Sequence, residues 1–303
     1  MPRSIHIGVS VEPDEVVDRS AHSRVLEVDA GLAVLTERMV TPWVERTPEG
    51  FVLDVRVPRL LTHHAQPIDS LPPEVRDLLP ASARAGRQVY ADDLPAQALD
   101  VALDRVLASV APLQEFHRLG ALVFPFPSYF VPGTKALDYL EWLRARAGDL
   151  PVAVELRHRD WVETKRRDET MAFLTAQQLS YVCVDVPPNF PTSLPPLAAS
   201  TTDTAFVRFH GRNGDAWEAN ADSGDDRFTY DYRRSDLEPW ATRLTKLAST
   251  AKSVHAIFTT GRADAAARDA RTLVKVFTEE PEPDRGPPPG KGNQRGRRPP
   301  PRR

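Results

Sequence analysis

The sequence contains a single cysteine, Cys183, so no disulfide bond can form within the chain. Cys183 lies in the apolar stretch 181–184, where the expected role is that of a small buried hydrophobic residue rather than a nucleophile. No stretch approaches the roughly 18 consecutive apolar residues that a membrane-spanning helix requires. The first four residues lead directly into an apolar segment without the pattern of a secretory signal. We therefore expect a cytoplasmic protein that makes no membrane contact.

Sequence motifs for metal, acyl-transfer and nucleotide chemistry are also missing. The chain has no His-Glu-x-x-His, no cysteine pair and no calcium loop. It has no Gly-x-Ser-x-Gly elbow and no Walker-type loop. We predict no metal site, although Glu155, Asp185 and His210 would form one if the fold brought them together. The sequence indicates no particular cofactor.

Charge is unevenly distributed along the 303 residues. The formal net charge is −3, but residues 281–303 hold seven Lys or Arg against two acids. That segment therefore carries +5 and the other 280 residues carry −8. An acidic body argues against nucleic-acid binding over a broad face of the folded domain. The segment also has eight prolines and no large apolar side chain, so we predict one domain over residues 1–279 and a disordered basic tail over 280–303.

The basic tail has cationic side chains but no aromatic ones. Residues 285–303 cannot stack on bases, whereas each Lys or Arg can contact a phosphate and release counterions. We predict weak, sequence-indifferent binding of RNA or DNA that falls as salt rises; the alternative is a solubilising tail without a partner. Titrating RNA into the full chain and into a version ending at Glu280, at low and moderate salt, tests this. Equal binding by both versions would remove the tail from any account of function.

Eight short segments rich in β-branched and aromatic residues predict strands. Most are separated by stretches with helical periodicity, such as the stripe Leu99, Leu103, Val106 and Val110. Strands that alternate with helices indicate parallel pairing, so we predict an α/β fold, a TIM-type (β/α)8-like barrel. The predicted strands are Ile5–Val9, Val25–Val28, Phe51–Val57, Leu122–Phe126, Val152–Leu156, Tyr181–Val184, Phe206–Phe209 and Val254–Phe258.

The predicted barrel is irregular at three connections between strands. The first connection has room only for residues 13–18, too few for a full covering helix. The sixth contains the proline-rich stretch 187–196, which predicts a rigid loop because proline fixes φ and lacks an N–H. The third is oversized, with a short helix near Pro73–Leu79 and a long helix from about Ala96.

The stretch 152–161 combines an apolar strand with acidic, basic and aromatic residues. Because strand side chains alternate between two faces, Glu155 and Arg157 share one face. Similar alternation in other strands predicts that a set of polar residues points into the barrel. Such charges either pair in a structural salt-bridge cluster or leave some groups for a ligand, and the two alternatives can hold at different depths. The other members of the set are Glu27, Asp29, Asp54, Arg56, Asp185, Arg208 and His210.

The residue types at the predicted strand ends suit an anionic ligand. Arg56, Arg157 and Arg208 could bind a carboxylate or phosphate, because guanidinium groups do so bidentately. Glu155 is the best candidate for a general acid or base. His63, His158 and His210 are further acid–base candidates, since imidazole can titrate near neutrality. His63 and His64 follow the third strand, and either could simply be a surface or capping residue. Thr62, His63, Trp161, Asp185 and Gly211 complete the predicted ligand-binding set.

Two glycine-containing loops predict a phosphate position. They are 210–214, after the seventh predicted strand, and 259–262, after the eighth. Loops after strands seven and eight form a phosphate cup in many TIM barrels, helped by helix N-terminal amides.

The stretch Val152–Trp161 resembles the V-x-E-[FL]-R-H-x-x-W signature of the YecE-like family, the domain of unknown function numbered 72. Segments 56–63, 120–127 and 206–211 agree with the family in order and spacing. The resemblance covers roughly residues 5–275 and implies a TIM-type barrel without supplying a reaction. The family's glycine–tryptophan after the first strand, and its asparagine pair after the eighth, are missing here. We therefore expect either a hydrolase or lyase acting on an anionic ligand, or a catalytically eroded barrel that acts as a binding or scaffold module.

Overall fold

A computed structural model describes residues 1–29, 36–190, 193–217, 228–261 and 263–279, with the backbone alone for Asp29, Glu37 and Ala263. Ten strands are described: β1 (Ile5–Val11), β2 (Val25–Asp29), β3 (Val52–Arg56), β4 (Gln66–Pro67), β5 (Gln88–Val89), β6 (Leu119–Pro125), β7 (Val152–Glu155), β8 (Leu179–Asp185), β9 (Thr204–Phe209) and β10 (Ser253–Phe258). Eight of them form a closed parallel barrel in the order β1-β2-β3-β6-β7-β8-β9-β10, while β4 and β5 form a separate antiparallel ribbon. The predicted barrel and its eight strands are confirmed.

Helices surround the barrel. The described helices are α1 (Val16–Ser20), α2 (Glu37–Arg46), α3 (Pro73–Arg76), α4 (Ala81–Arg84), α5 (Ala96–Glu115), α6 (Thr134–Ala147), α7 (Arg167–Ala176), α8 (Gly214–Trp217), α9 (Arg234–Ala248) and α10 (Ala263–Thr278). In α5 the predicted stripe is buried at Leu103, Val106 and Val110, because this spacing places the three side chains on one helical face. Among the described residues, no helix is both long enough and apolar enough to cross a membrane.

The irregular connections follow the sequence prediction. The first contains a 3-10 helix (Pro13–Glu15) and α1, of five residues, and α10 packs against β1. Between β8 and β9 the described residues contain no helix, as the prolines in this stretch require. The third connection holds the β4–β5 ribbon, α3, α4 and α5, which enclose a small second hydrophobic cluster around Val75 and Val89. The boundary predicted between residues 279 and 280 stays a prediction, because residues 280–303 lie outside the described part.

Close packing fixes the amino-end half of the barrel interior. A Cβ atom at Gly8 of β1 would overlap the carbonyl oxygen of Val25, so only glycine fits there. A Cβ at Gly120 would overlap the Asp54 carboxylate, which contacts Nδ1 of His255 at 2.9 Å. Asp54 and His255 are both buried, and their pairing satisfies polar groups that would otherwise be costly inside the barrel. The predicted inward direction of Asp54 agrees with this contact.

Cys183 on β8 is fully buried, as expected for a structural cysteine. Its Sγ lies 3.4 Å from the carbonyl oxygen of Ala199. Burial disfavours the thiolate and raises the pKa of the Cys183 thiol to about 12. The thiol is therefore protonated and unreactive at neutral pH.

Candidate functional site

Strand β7 ends at Glu155, whose carboxylate is the centre of a buried ionic cluster at the carboxyl end of the barrel. Arg157 Nε donates to Oε1 at 2.5 Å, and Arg208 donates to Oε2 at 2.5 Å. Nε2 of His210 lies 3.0 Å from Oε1. Burial alone would raise the pKa of the Glu155 carboxyl, but the charges of Arg157 and Arg208, together with the hydrogen bond to His210, outweigh it and hold the pKa well below its usual range. Glu155 is therefore an ionised carboxylate at neutral pH.

The guanidinium of Arg208 on β9 bridges two carboxylates inside the barrel. It donates through one nitrogen to Glu155 and through the other to Oε1 of Glu27 on β2, at 2.7 Å. Burial alone would lower the pKa of Arg208, but the two carboxylates outweigh it and raise the pKa. The Nε of Arg208 is buried and has no hydrogen-bond partner among the described residues. An ordered water or a ligand atom would satisfy this donor.

The tautomer of His210 follows from its two partners. Burial lowers the pKa of His210, although Glu155 favours the charged form, so the ring is neutral and carries one N–H. A carboxylate can only accept, so Nε2 carries the hydrogen and donates to Glu155. Nδ1 then accepts from the hydroxyl of Thr259, 2.8 Å away. Thr259, just after β10, thus orients the ring toward Glu155.

One further cation, Arg56, and a histidine, His64, lie around the cluster at the barrel mouth. Burial and the charge of Arg208 lower the pKa of Arg56, at the end of β3, to about 10, so it stays charged at pH 7. The side chain of Arg157 is 30% exposed and is the more accessible donor to Glu155. Burial and repulsion by Arg157 and Arg59 lower the pKa of His64 to about 4, so this imidazole is neutral.

Positive charge therefore exceeds negative charge among the described side chains of this cluster. Because both histidines are neutral, three guanidinium groups face two carboxylates. The side chain of Asp29, which pairs with Arg56 in the strand register, lies outside the described part. The charged members are Arg56, Arg157, Arg208, Glu27 and Glu155.

Asp185 does not join this cluster, and its predicted position inside the barrel is wrong. It pairs in register with Phe209, which packs against Trp240 of α9, whereas the neighbouring Val184 pairs with the inward-facing Arg208. Its carboxylate accepts from Arg212 at 2.8 and 2.9 Å, Tyr232 Oη at 2.6 Å and Trp240 Nε1 at 2.7 Å. Four donors saturate Asp185 in the layer between strands and helices. A metal site shared with Glu155 and His210 is therefore not assembled.

The predicted phosphate cup is occupied by internal hydrogen bonds. The amide of Gly211 donates to Tyr232 Oη at 3.0 Å, and the hydroxyl of Thr260 donates to Asp269 at 3.0 Å. A Cβ at Gly211 would lie 2.7 Å from Cβ of Tyr230, so glycine is required by packing. Arg262 lies outside the described residues. The structure does not support a ligand-binding role for the Gly211 amide.

Four other predicted site residues have structural partners instead. His158 caps a short 3-10 helix, since its Nδ1 accepts from the amide of Asp160 at 3.2 Å. The indole of Trp161 is 1% exposed and donates to the carbonyl oxygen of Phe130 at 2.8 Å. The ring of His63 packs against Tyr139, with centroids 4.4 Å apart. These contacts hold the loops after β3, β6 and β7 in place.

The fourth residue, Thr62, contacts a histidine that the sequence analysis did not include in the predicted site. Its buried hydroxyl donates to the carbonyl oxygen of Arg59 at 3.0 Å and lies 2.9 Å from Nδ1 of His64. Thr62 therefore positions His64, which interacts electrostatically with Arg157 and Glu155. His63 adopts a left-handed conformation with φ of 59°, and this turn sends the two adjacent histidines to different surroundings.

The sequence analysis did not assign Glu27 or Thr259 to the site, for two different reasons. Glu27 was predicted to point inward, but its pairing with Arg208 joins residues 181 positions apart, which a single sequence does not reveal. Thr259 lies at a position where the resemblance suggested erosion, yet its hydroxyl orients His210. A hydroxyl directly after a strand was the only local signal.

Fold and site together define a parallel α/β barrel of TIM type with a buried ionic cluster at the carboxyl ends of its strands. Residues 19–292 match the family described as "Protein of unknown function DUF72", and the chain belongs to this family. The predicted YecE-like resemblance is confirmed. Within the described residues, no group of three or more His, Cys, Asp or Glu side chains is placed to hold a metal ion.

Relatives of known sequence and structure agree with this assignment. The chain is 26% identical over 267 residues to the UPF0759 protein YunF of Bacillus subtilis strain 168, covering 86% of each chain. A DUF72 family protein of Enterococcus faecalis V583 superposes with a TM-score of 0.74 at 23% identity, over 92% of this chain and 97% of that one. A DUF72 family protein of Thermotoga maritima MSB8 gives 0.69 at 24% identity, over 91% and 100%. At these identities the two structures establish the fold.

The depressed pKa of Glu155 predicts a specific loss of stability in acid. Because the folded-state pKa lies well below the ordinary value of 4.5, the carboxylate stabilises the fold above that pH, and this contribution is lost as pH falls below it. We expect Glu155→Gln to lower the free energy of unfolding at pH 7 by about 3–5 kcal/mol, since Arg208 loses one of two buried anions. The variant should lose less further stability below pH 4.5 than the wild type.

Urea unfolding at a series of pH values measures both effects. The matched control is Glu49→Gln, which removes a carboxylate from an exposed position. Identical unfolding free energies for Glu155→Gln and Glu49→Gln at every pH would contradict the prediction.

Proposed function

We propose that the carboxyl-end mouth of the barrel binds a small anionic ligand, such as a phosphate ester, and that the protein is a hydrolase or lyase. The observation that carries the proposal is that the two arginines bound to Glu155 each keep hydrogen-bonding capacity for a ligand. Arg157 is partly exposed, and Arg208 keeps a buried Nε donor without a described partner. Guanidinium groups bind phosphate and carboxylate strongly, because the interaction combines charge with directed hydrogen bonds.

Glu155 would act as a general base in this proposal rather than as an acid, because it is ionised. Its low pKa makes it a weak base while Arg157 and Arg208 both donate to it. A bound anion that takes over Arg157 would remove one donor and add negative charge, and both changes raise the pKa of a carboxyl. His210, as the neutral Nε2–H tautomer, would hold Glu155 in position. Ligand binding would therefore make the Glu155 carboxylate a stronger base.

Thermal unfolding with added anions tests ligand binding. We expect inorganic phosphate, pyrophosphate or a sugar phosphate to raise the Tm of the wild type, and the corresponding neutral sugar to leave it unchanged. Arg157→Gln should weaken binding roughly 10- to 100-fold, since a hydrogen bond to a charged group is worth about 1.5–3 kcal/mol. The matched control is Arg159→Gln, two residues away, where the side chain is 53% exposed and pairs with Glu163. Equal Tm shifts in both variants would refute the assigned anion site.

A binding or scaffold module without catalysis is the second candidate. It is favoured by the saturation of the Gly211 and Thr260 donors and of Glu155 itself, which leaves few groups at the strand ends without an internal partner. The two candidates differ in what Glu155→Gln does. A binding module predicts unchanged cellular function in a folded Glu155→Gln variant, complementing a deletion strain. Loss of function with the anion-induced Tm shift retained would favour the enzyme.

A further inference from the structure

Exposed aromatic and aliphatic side chains gather in one groove at the carboxyl-end face of the barrel. Tyr90 is 44% exposed, Tyr129 57% and Val131 49%, and they are half of the six most exposed large hydrophobic residues in the described part of the chain. All three line a cavity of about 850 Å³ between the loops that follow β3 and β6. An exposed apolar patch of this kind marks an interaction surface.

The groove is rigid where a partner would contact it. The hydroxyl of Tyr129 donates to the carbonyl oxygen of His63 at 2.8 Å, which fixes a ring that remains more than half exposed. Below it, Phe130 stacks on Trp161 and His63 packs against Tyr139. A surface held in place before binding loses little entropy when a partner docks.

The groove is also acidic. Its lining includes three carboxylates against one ammonium group, giving a net charge of −2. The side chain of Asp92 is 81% exposed, and Asp138 is exposed without an ion pair in the described residues. The carboxylate of Asp93 accepts a hydrogen bond from the backbone amide of Tyr90 at 2.8 Å, which fixes the backbone at this second aromatic residue. The cation is Lys135.

We propose that this groove binds the chain's own proline- and arginine-rich C-terminal segment, with residues 297–303 as its core. The segment reads Arg-Arg-Pro-Pro-Pro-Arg-Arg, so two arginine pairs flank three prolines. Proline runs favour the polyproline II conformation, which packs on aromatic-lined grooves at low entropic cost. The arginines would meet the groove carboxylates and the aromatic faces. Residues 281–303 carry +5, opposite in sign to the groove.

The connecting chain is long enough for this contact. The carbonyl oxygen of Glu279 accepts a hydrogen bond from Arg234 at the start of α9. Tyr232, two residues before Arg234, donates to Asp185 at the carboxyl end of β8. The tail therefore departs from the face that carries the groove. Residue 297 lies 18 positions after residue 279, a distance that spans about 56 Å at about 3.1 Å per residue. A domain of 279 residues is about 48 Å across, so the segment can reach the opposite rim.

Because the tail is covalently joined to the domain, even a weak contact is sufficient for it to occupy the groove. A segment joined to its site by a flexible linker is present at an effective concentration in the millimolar range. The docked state would place the tail's arginines on carboxylates instead of leaving them open to nucleic-acid phosphates. This interaction is independent of the anion site, because no residue of the Glu155 cluster lines the groove.

A fluorescent label in the tail of the full chain tests the proposal. Gly296→Cys provides one reactive thiol, because the native Cys183 is fully buried. We expect the label's anisotropy to exceed that of the same labelled tail peptide free in solution. Tyr129→Ser, which removes an exposed ring, should abolish most of that excess. The double variant Asp92→Asn, Asp138→Asn keeps the shape of the groove, removes two charges and should have the same effect.

Matched controls lie elsewhere on the surface. Phe116→Ser removes another ring that is 55% exposed, and Asp168→Asn removes another exposed carboxylate. Unchanged Tm values verify that each variant is folded. Equal anisotropy in the groove variants and the controls would overturn the proposal. Anisotropy that rises with protein concentration would also overturn it, since the occupant would then be the tail of a second copy.

Discussion

The hydrogen bonds of one guanidinium group connect three separated walls of the barrel. Arg208 on β9 reaches Glu155 on β7 and Glu27 on β2, and all three side chains are buried. None of the three charges is tolerable alone in this interior, because an unpaired buried charge costs several kcal/mol. The position of each strand end therefore depends on the other two. Glu155 has a fixed place because Arg208 does.

In this arrangement, the contacts that hold Glu155 in place also make it less suited to accept a proton. The donors that fix the carboxylate also stabilise its charged form, which makes it a poor proton acceptor. Among these donors, Arg157 is the most exposed and can be redirected with the least disturbance of the barrel. Arg208 is committed to both carboxylates. In the proposed function, this division between a fixed arginine and an accessible one would let a ligand engage Arg157 while Arg208 keeps the buried salt bridges intact.

The sequence predicts the barrel well because strand and helix patterns are local. It predicts Glu155, Arg157, Arg208 and His210 because their strands are followed by loops that meet at one barrel end. Asp185 fails the same rule, since all seven residues of β8 are buried and alternation of polarity no longer separates its two faces. Its true direction depends on Trp240, which lies 55 positions further along the chain.

Residues in turns are harder to predict than residues in strands. His63 and His64 differ by one position, but the left-handed conformation at His63 places its ring in an aromatic cluster, while His64 lies beside the site. No periodicity specifies such a turn. Thr62 and Thr259 show the same limit, because a hydroxyl that orients a histidine resembles any other hydroxyl in a loop.

The pairing of β1 has a consequence for the order of synthesis. β1 is made before the other strands of the barrel, but one of its edges pairs with β10, and α10 packs against it. That edge must therefore stay open until residue 258 is available, and α10 cannot pack on β1 until residues up to about 278 have been made. While the other barrel strands are being made, the nascent chain presents an unpaired β1 edge, which is a template for pairing with other chains. A chaperone that shields this edge would act on the barrel strand that is made first, and the arrival of β10 and α10 would release it.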